Sequence, residues 1–298
     1  IYAHLGTSKE QEYKANYTKS TAEVYHEFAL RYLGLREKNK STLLGTRQHS
    51  LVLTPGLPSW VPDWSAVRPE RSCIRLMGGR SAGDPKPDRM IQNELGEWKL
   101  TRVVDKITTP PRFSEDKRAI FLRGVYFNKV VALRPLKDGI IQAESLERVK
   151  ELARNDGIFS NIQHPPGQSV EEIVARTLTC DQVLKHGNPT ILPNDESIFE
   201  RKPAITYAVH LIEDRLLVFT EQGYLVLAPL ESQVDDIVCV FIGGTLPFIL
   251  RPKEHWYEMI GACYGERRYI TRFAAADPLQ YMGSFTATWE RRPVSSPK

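Results

Sequence analysis

Leu57-Pro58-Ser59-Trp60-Val61-Pro62-Asp63-Trp64-Ser65 is the stretch from which the rest of the chain is read. Its two prolines each fix φ near roughly −65° and remove a backbone donor, which excludes both a regular helix and a central strand. Asp63 and Ser65 are residue types whose side chains cap nearby backbone N–H groups. Each of its two tryptophans can bury about 200 Å² or more. The stretch therefore predicts an ordered, non-repetitive loop pinned by its indoles, a structural clamp before anything else.

Elements are expected on both sides of this clamp. Upstream, Ser20 and Glu23 form a capping box, and Ala22, Tyr25, Ala29 and Leu33 recur at helical spacing, with Phe28 and Tyr32 widening the apolar face. The pattern predicts a helix from Thr21 to Leu33, stopped by Gly34. Downstream, Pro69 to Gly96 is rich in Gly, Pro, Asp and Arg, without a period, and reads as a loop or linker. Trp98–Val104, Ala119–Tyr126 and Lys129–Leu133 are β-branched and aromatic and read as strands. Ala143 to Arg154 reads as a helix by propensity. A second capping box, Ser169 with Glu172, opens a helix expected to run to Lys185, closed by Gly187 and Pro189.

Ala204 to Ile212 is compatible with helix or strand. After it, Leu216–Thr220 and Tyr224–Leu227 flank a Glu221-Gln222-Gly223 turn and predict a hairpin. Ile237–Ile242, Pro247–Leu250 and Tyr257–Ala262 add three closely spaced strands, as in an antiparallel meander or small barrel. Val238, Val240 and Ile242 alternate with Cys239 and Phe241, so both faces of that strand are expected to be covered. Trp289 to Lys298 reads as a disordered tail. The fold class expected is α+β: a helical N-terminal piece, a mixed middle and a C-terminal antiparallel β unit. The organisation expected is 1–68, a loop or linker at 69–96, an α+β region at 97–290 and a tail at 291–298.

The chain has 298 residues, 41% of them hydrophobic, enough for a real core. Forty basic against 36 acidic residues leave a net charge of +4, spread along the chain with only short runs such as Arg267-Arg268 and Arg291-Arg292. That pattern argues against a nucleic-acid module, which concentrates basic residues on one element among aromatics. Cys73, Cys180, Cys239 and Cys263 lie far apart, and the seven histidines lack paired metal-ligand spacing, so no metal is expected. The longest uncharged run, Ile237–Leu250, is broken by glycines and Pro247 and is shorter than the ~20 residues of a membrane helix. These features lead to the expectation of a cytoplasmic chain with no membrane span.

No constellation of catalytic residues rises above its structural explanation. Gly79-Arg80-Ser81-Ala82-Gly83 fits the Gly-x-Ser-x-Gly elbow, but Asp84-Pro85-Lys86-Pro87 forbids the helix that the chemistry needs after it. The same glycines lack the Lys-Ser/Thr ending of a phosphate-binding loop. Asp63 between Pro62 and Trp64 is better explained as a loop cap than as a general acid. Asp235-Asp236 reads as a turn, and Glu171-Glu172 as acidic residues favoured in a helix first turn. His49 reads as a packing or capping residue. Cys239 and Cys263 fall on neighbouring strands and are expected as buried thiols. Neither a catalytic residue nor a cofactor is expected.

The clamp nonetheless carries a resemblance. Leu57-Pro58-Ser59-Trp60-Val61-Pro62-Asp63-Trp64-Ser65 resembles the hallmark of fungal heterokaryon incompatibility (HET) domain proteins. Ile1-Tyr2-Ala3-His4-Leu5-Gly6, Asn16-Tyr17-Thr18-Lys19-Ser20 and Glu23-Val24-Tyr25-His26-Glu27-Phe28-Ala29 are similar to stretches that precede it in the family. Gly167-Gln168-Ser169, Arg176-Thr177-Leu178 and Asp181 resemble the family's middle helix. Asp236–Val240, Pro247–Pro252 and Tyr257–Tyr264 are similar to its C-terminal strands. The opening signatures, Ala-Leu-Ser-Tyr-x-Trp-Gly and Trp-Ile-Asp-x-x-Cys-Ile-Asn-Gln, are absent, as is the ending Tyr-Val-His-Gly-x-Met-x-Gly-Glu. The resemblance implies that the chain starts within a HET domain, whose C-terminal remnant is 1–68.

The function so implied is that of a regulatory or interaction portion of a non-self recognition protein that triggers programmed cell death, with another protein as partner. A rival expectation comes from the likeness of HET domains to TIR-type domains, some of which hydrolyse NAD. The chain would then be the accessory half of such an enzyme, its catalytic part lying elsewhere.

Overall fold

A computed structural model of the chain describes residues 16–35, 54–65, 89–92, 98–101, 111–135, 162, 168–185, 188–192, 196–200, 215–241, 246–265 and 282–287. The expected helix at 143–154, the ambiguous segment 204–212, His49, Cys73, the glycine-rich stretch 79–83 and the tail 291–298 lie outside them.

The first helix, α1 (Thr21–Leu35), starts where the capping box places it. Glu23 N–H donates to Ser20 Oγ at 3.3 Å, and Ser20 N–H donates back to Glu23 Oε2 at 2.7 Å, so two orphan donors are satisfied reciprocally. The helix passes Gly34 and ends at Leu35, one residue beyond the expected stop. A glycine inside a helix costs only about 1 kcal/mol relative to alanine and does not by itself terminate one.

The second helix, α2 (Val170–Thr179), is shorter than expected. Cys180 (φ 52°) and Asp181 (φ 58°) both enter the left-handed region, and their N–H groups return to the Thr177 and Arg176 carbonyls at 3.2 and 2.8 Å. This is a C-cap made without glycine. The reversal turns Gln182–Lys185 into a strand paired with Asn188–Ile191, where a helix end was expected. Likewise Arg89–Gln92, placed in the loop region by sequence, is a strand antiparallel to Trp98–Thr101. Four residues are too few to show a period, and the partner that makes them a strand lies further along the chain.

In chain order the strands are β1 (Arg89–Gln92), β2 (Trp98–Thr101), β3 (Arg112–Phe113), β4 (Ile120–Pro135), β5 (Gln182–Lys185), β6 (Asn188–Ile191), β7 (Arg215–Thr220), β8 (Leu225–Pro229), β9 (Ile237–Phe241), β10 (Pro247–Pro252), β11 (Tyr257–Ala262), β12 (Tyr264–Gly265) and β13 (Met282–Ala287). Nine of them form one sheet in the order β12-β8-β7-β4-β13-β11-β10-β9, with β3 on β4. The expected β7–β8 hairpin is present, with its turn at Glu221–Tyr224, and β9, β10 and β11 form the expected antiparallel meander. The β11–β13 contact is parallel, at Tyr257 and Ala287. β9 also pairs with β4, but the β7–β8–β12 arm stays outside that circuit, so the nine strands do not make one closed barrel.

β4 joins what reads in sequence as two strands. Its start pairs with β13, its middle with β9 and its end with β7, and the register shifts between Tyr126 and Asn128 and again between Val130 and Ala132. Such bulges bend a strand and raise its twist. They let one strand change partners without a break.

The two faces of the sheet are buried in different cores. Along β9, Ile237, Cys239 and Phe241 join a large apolar cluster with α1, α2 and the clamp, while Val238 and Val240 join a second cluster with Phe127, Val218, Val226 and Ile249. The period-two alternation of the strand sets this division. Both faces are covered, as the alternation predicts.

Candidate functional site

The clamp is buried from Leu57 to Asp63, and Trp60 is fully enclosed. Its indole meets the His26 ring edge-on, with centroids 5.6 Å apart, and the Phe113 ring at 5.7 Å. Trp64 makes T-shaped contacts with Tyr25 and Phe28 at 5.2 and 5.3 Å. These separations suit the edge-to-face attraction of aromatic quadrupoles. Three residues of one turn of α1 and Phe113 of β3 are thus gripped by two indoles four positions apart.

Polar contacts fix the clamp's path. Asp63 accepts from Thr54 N–H (2.6 Å), Thr54 Oγ1 (3.0 Å), Ser65 N–H (3.0 Å) and Ser65 Oγ (2.5 Å). Burial alone would raise its pKa, but these donors outweigh that and hold it below the usual carboxylate value. Asp63 is a loop cap, as its sequence context predicts, and is poorly suited to donate a proton. Ser59 Oγ accepts from Met259 N–H at 3.3 Å, tying the clamp to β11, and Trp60 Nε1 donates to the Arg118 carbonyl at 3.0 Å, tying it to the β3–β4 turn.

A second constellation centres on Arg176 of α2, fully buried. Its Nε donates to Glu172 Oε1 at 2.9 Å, its Nη1 to Asp181 Oδ1 at 2.7 Å and its Nη2 to the Glu196 carbonyl. Glu172 also accepts from Ser197 Oγ and Ile198 N–H, both at 2.8 Å, and Asp181 accepts from the Tyr264 hydroxyl. Burial would lower the guanidinium pKa, but Asp181 and Glu172 more than compensate and drive it further up. Glu172 therefore does not complete its capping box: Ser169 Oγ accepts from Glu172 N–H at 3.2 Å, while the carboxylate turns inward to Arg176. In sequence Arg176 and Asp181 stand out only through the family resemblance. An arginine four residues after a glutamate in a predicted helix is the available signal for the ion pair.

The third polar knot pairs Asp236 with Arg251. The guanidinium reaches both carboxylate oxygens at 3.0 and 3.1 Å and also donates to the Glu231 carbonyl. Burial of Asp236 raises its pKa against the pull of Arg251. The turn expected at Asp235-Asp236 fits Asp235 (φ 74°), which pairs with Lys129 on the surface at 2.6 Å. Asp236 instead faces inward.

These groups serve one another. Each carboxylate named above is engaged by donors, and among the described residues no group of three or more His, Cys, Asp or Glu side chains is placed to hold a metal ion. No described helix is long and apolar enough to cross a membrane. Cys180, Cys239 and Cys263 are buried thiols, and burial together with the nearby Cys263 pushes Cys239 well above the usual thiol value.

Residues 203–269 match the model of the Het-6 beta-barrel domain, a domain found in fungal heterokaryon incompatibility proteins. The match covers β7 to β12 and agrees with the resemblance carried by the clamp. No curated protein and no solved structure matches the chain.

Proposed function

We propose that the chain is the regulatory or interaction portion of a fungal non-self recognition protein that triggers programmed cell death, and that it acts in the cytoplasm by binding another protein, without chemistry of its own. The observation that carries this reading is the Het-6 beta-barrel match at 203–269, downstream of a clamp spelled like the HET hallmark. The engagement of its buried carboxylates with one another's donors supports a scaffold over a catalyst.

The test is induced expression in a filamentous fungal host of this chain and of a version extended upstream to restore the HET signatures. Death with the extended version alone supports the proposal. Death with residues 1–298 alone places the effector within this chain and refutes the regulatory assignment. Release of nicotinamide from NAD by the purified chain would refute the non-enzymatic part.

A further inference from the structure

The turn between β3 and β4 is built more firmly than its exposed position requires. Ser114 N–H donates to the Ala119 carbonyl at 3.0 Å, and Lys117 N–H to the Ser114 carbonyl at 2.9 Å. Ala119 N–H returns to Ser114 Oγ at 2.9 Å. Ser114 Oγ donates to Asp116 Oδ1 at 2.5 Å, and that oxygen also accepts from Arg118 N–H at 3.0 Å. Lys117 sits at φ 58°, a conformation that lysine adopts only when its surroundings impose it.

The effect of this construction is to present two successive carbonyls in one direction. Lys117 O meets His26 Nε2 of α1 at 2.7 Å, and Arg118 O meets Trp60 Nε1 of the clamp at 3.0 Å. The imidazole and indole that take them are themselves in edge contact. α1 is thus joined to the clamp by aromatic contacts and a Tyr25–Ser65 side-chain hydrogen bond, to the core by Ala29 and Leu33, and to the turn by the His26 hydrogen bond. The clamp is held to the turn and to β11.

We propose that the Ser114–Ala119 turn is a latch whose Lys117 and Arg118 carbonyls hold α1 and the clamp seated on the sheet, so that α1 can be released while the sheet stays folded. The division of contacts sets the order of release. Among the α1 residues whose burial is described, Val24, Ala29 and Leu33 are buried and the others are half-buried or exposed, whereas the clamp is enclosed from Leu57 to Asp63 and bonded to β11. α1 is the part that can leave at least cost. The surface so uncovered would be the aromatic faces of Trp60 and Trp64. As a device for regulation it rests on the proposed function, but the opening itself does not.

Hydrogen–deuterium exchange on the 298-residue chain tests the latch. His26→Ala removes the catch on α1, and the loss of one hydrogen bond predicts exchange of the α1 amides faster by on the order of fivefold. Protection of β9, β10 and β11 should stay unchanged. His26→Gln, whose amide can still donate to the Lys117 carbonyl, should restore α1, and Ser114→Ala, which loosens the turn from within, should reproduce the His26→Ala pattern. Equal acceleration of α1 and the sheet would show that they open only as one unit and would overturn the proposal. Unchanged α1 exchange in both His26→Ala and Ser114→Ala would overturn it as well. Because exchange is measured on the isolated chain, a failed latch is distinguishable from a failed assignment in the fungal host.

Discussion

Replacing Arg176 by methionine keeps the volume of the side chain and removes its charge from a site with no access to water. Glu172 and Asp181 would then each lose their ionic partner, and the Glu196 carbonyl would lose a donor. Breaking one partner of a buried ion pair typically costs about 3–5 kcal/mol, because the remaining charge stays desolvated. Against a total stability of about 5–15 kcal/mol, that is a large fraction. The remaining donors decide where the damage lies. Glu172 keeps Ser197 Oγ and Ile198 N–H, whereas Asp181, the more deeply buried of the two, keeps the Tyr264 hydroxyl and loses the larger attraction to the guanidinium. Adding Asp181→Asn to Arg176→Met should therefore recover more stability than adding Glu172→Gln, and asparagine tolerates the φ of 58° at that position. Urea unfolding followed by tryptophan fluorescence measures this as a midpoint shift on the order of 1–2 M for the single variant. The loss should also shrink in acid. A carboxylate stripped of its partner and buried has a folded pKa raised above its unfolded value, so the folded state takes up protons first and gains stability as pH falls. A midpoint shift under ~0.3 M for Arg176→Met, or a deficit larger at pH 5 than at pH 8, would refute the reasoning.

Asp63→Ala should cost about 2 kcal/mol, since four donors on Thr54 and Ser65 lose one acceptor; Asp63→Asn should cost less, and thermal unfolding of the two variants orders them. Acid should destabilise the chain in two steps. Burial, opposed by the bond to Lys117, depresses His26 below its ordinary 6.5, and the donors around Asp63 depress it below 3.8. Both groups are thus less protonated folded than unfolded, so stability present above those ordinary values is lost as pH falls below 6.5 and then below 3.8. Unfolding midpoints across pH 4.5–7.5 check the first step, which His26→Gln should abolish. Cys239, enclosed and with its thiol pushed well up, should resist iodoacetamide in the native chain and react in urea, as peptide mass mapping would show. Native labelling at Cys239 would contradict the burial.

What was legible in the sequence was local. The Ser20 and Ser169 caps mark the two helix starts because an N-cap is satisfied within three residues, and the β7–β8 hairpin follows from its turn. The clamp was readable as an aperiodic pinned loop because prolines act on their own backbone. What was not legible depends on partners distant in sequence. β4 looked like two strands because its register shifts are set by β9 and β7, more than 80 residues away. β13 drew no strand assignment because its pairing with Ile120–Val125 leaves no local mark. The end of α2 was missed because Cys180 and Asp181 adopt left-handed conformations without glycine, held there in part by the Tyr264 hydroxyl on Asp181.

That same bond bears on how the clamp and the sheet act together. Tyr264 opens β12, with only Cys263 between it and the end of β11, and β11 gives its Met259 N–H to Ser59 of the clamp. Asp181 and Arg176 lie at the end of α2, whose Ile173, Val174 and Leu178 share one apolar cluster with Trp60, Leu57 and Phe248. A displacement of β11 therefore strains both the clamp, through the hydrogen bond from Met259 N–H to the Ser59 hydroxyl, and the buried ion network, through Tyr264. The two responses differ in cost. The Ser59 bond is a single neutral contact, whereas separating Tyr264 from Asp181 uncovers a buried carboxylate. Under a displacement of β11 the Ser59 contact should therefore give way before the Tyr264–Asp181 bond does.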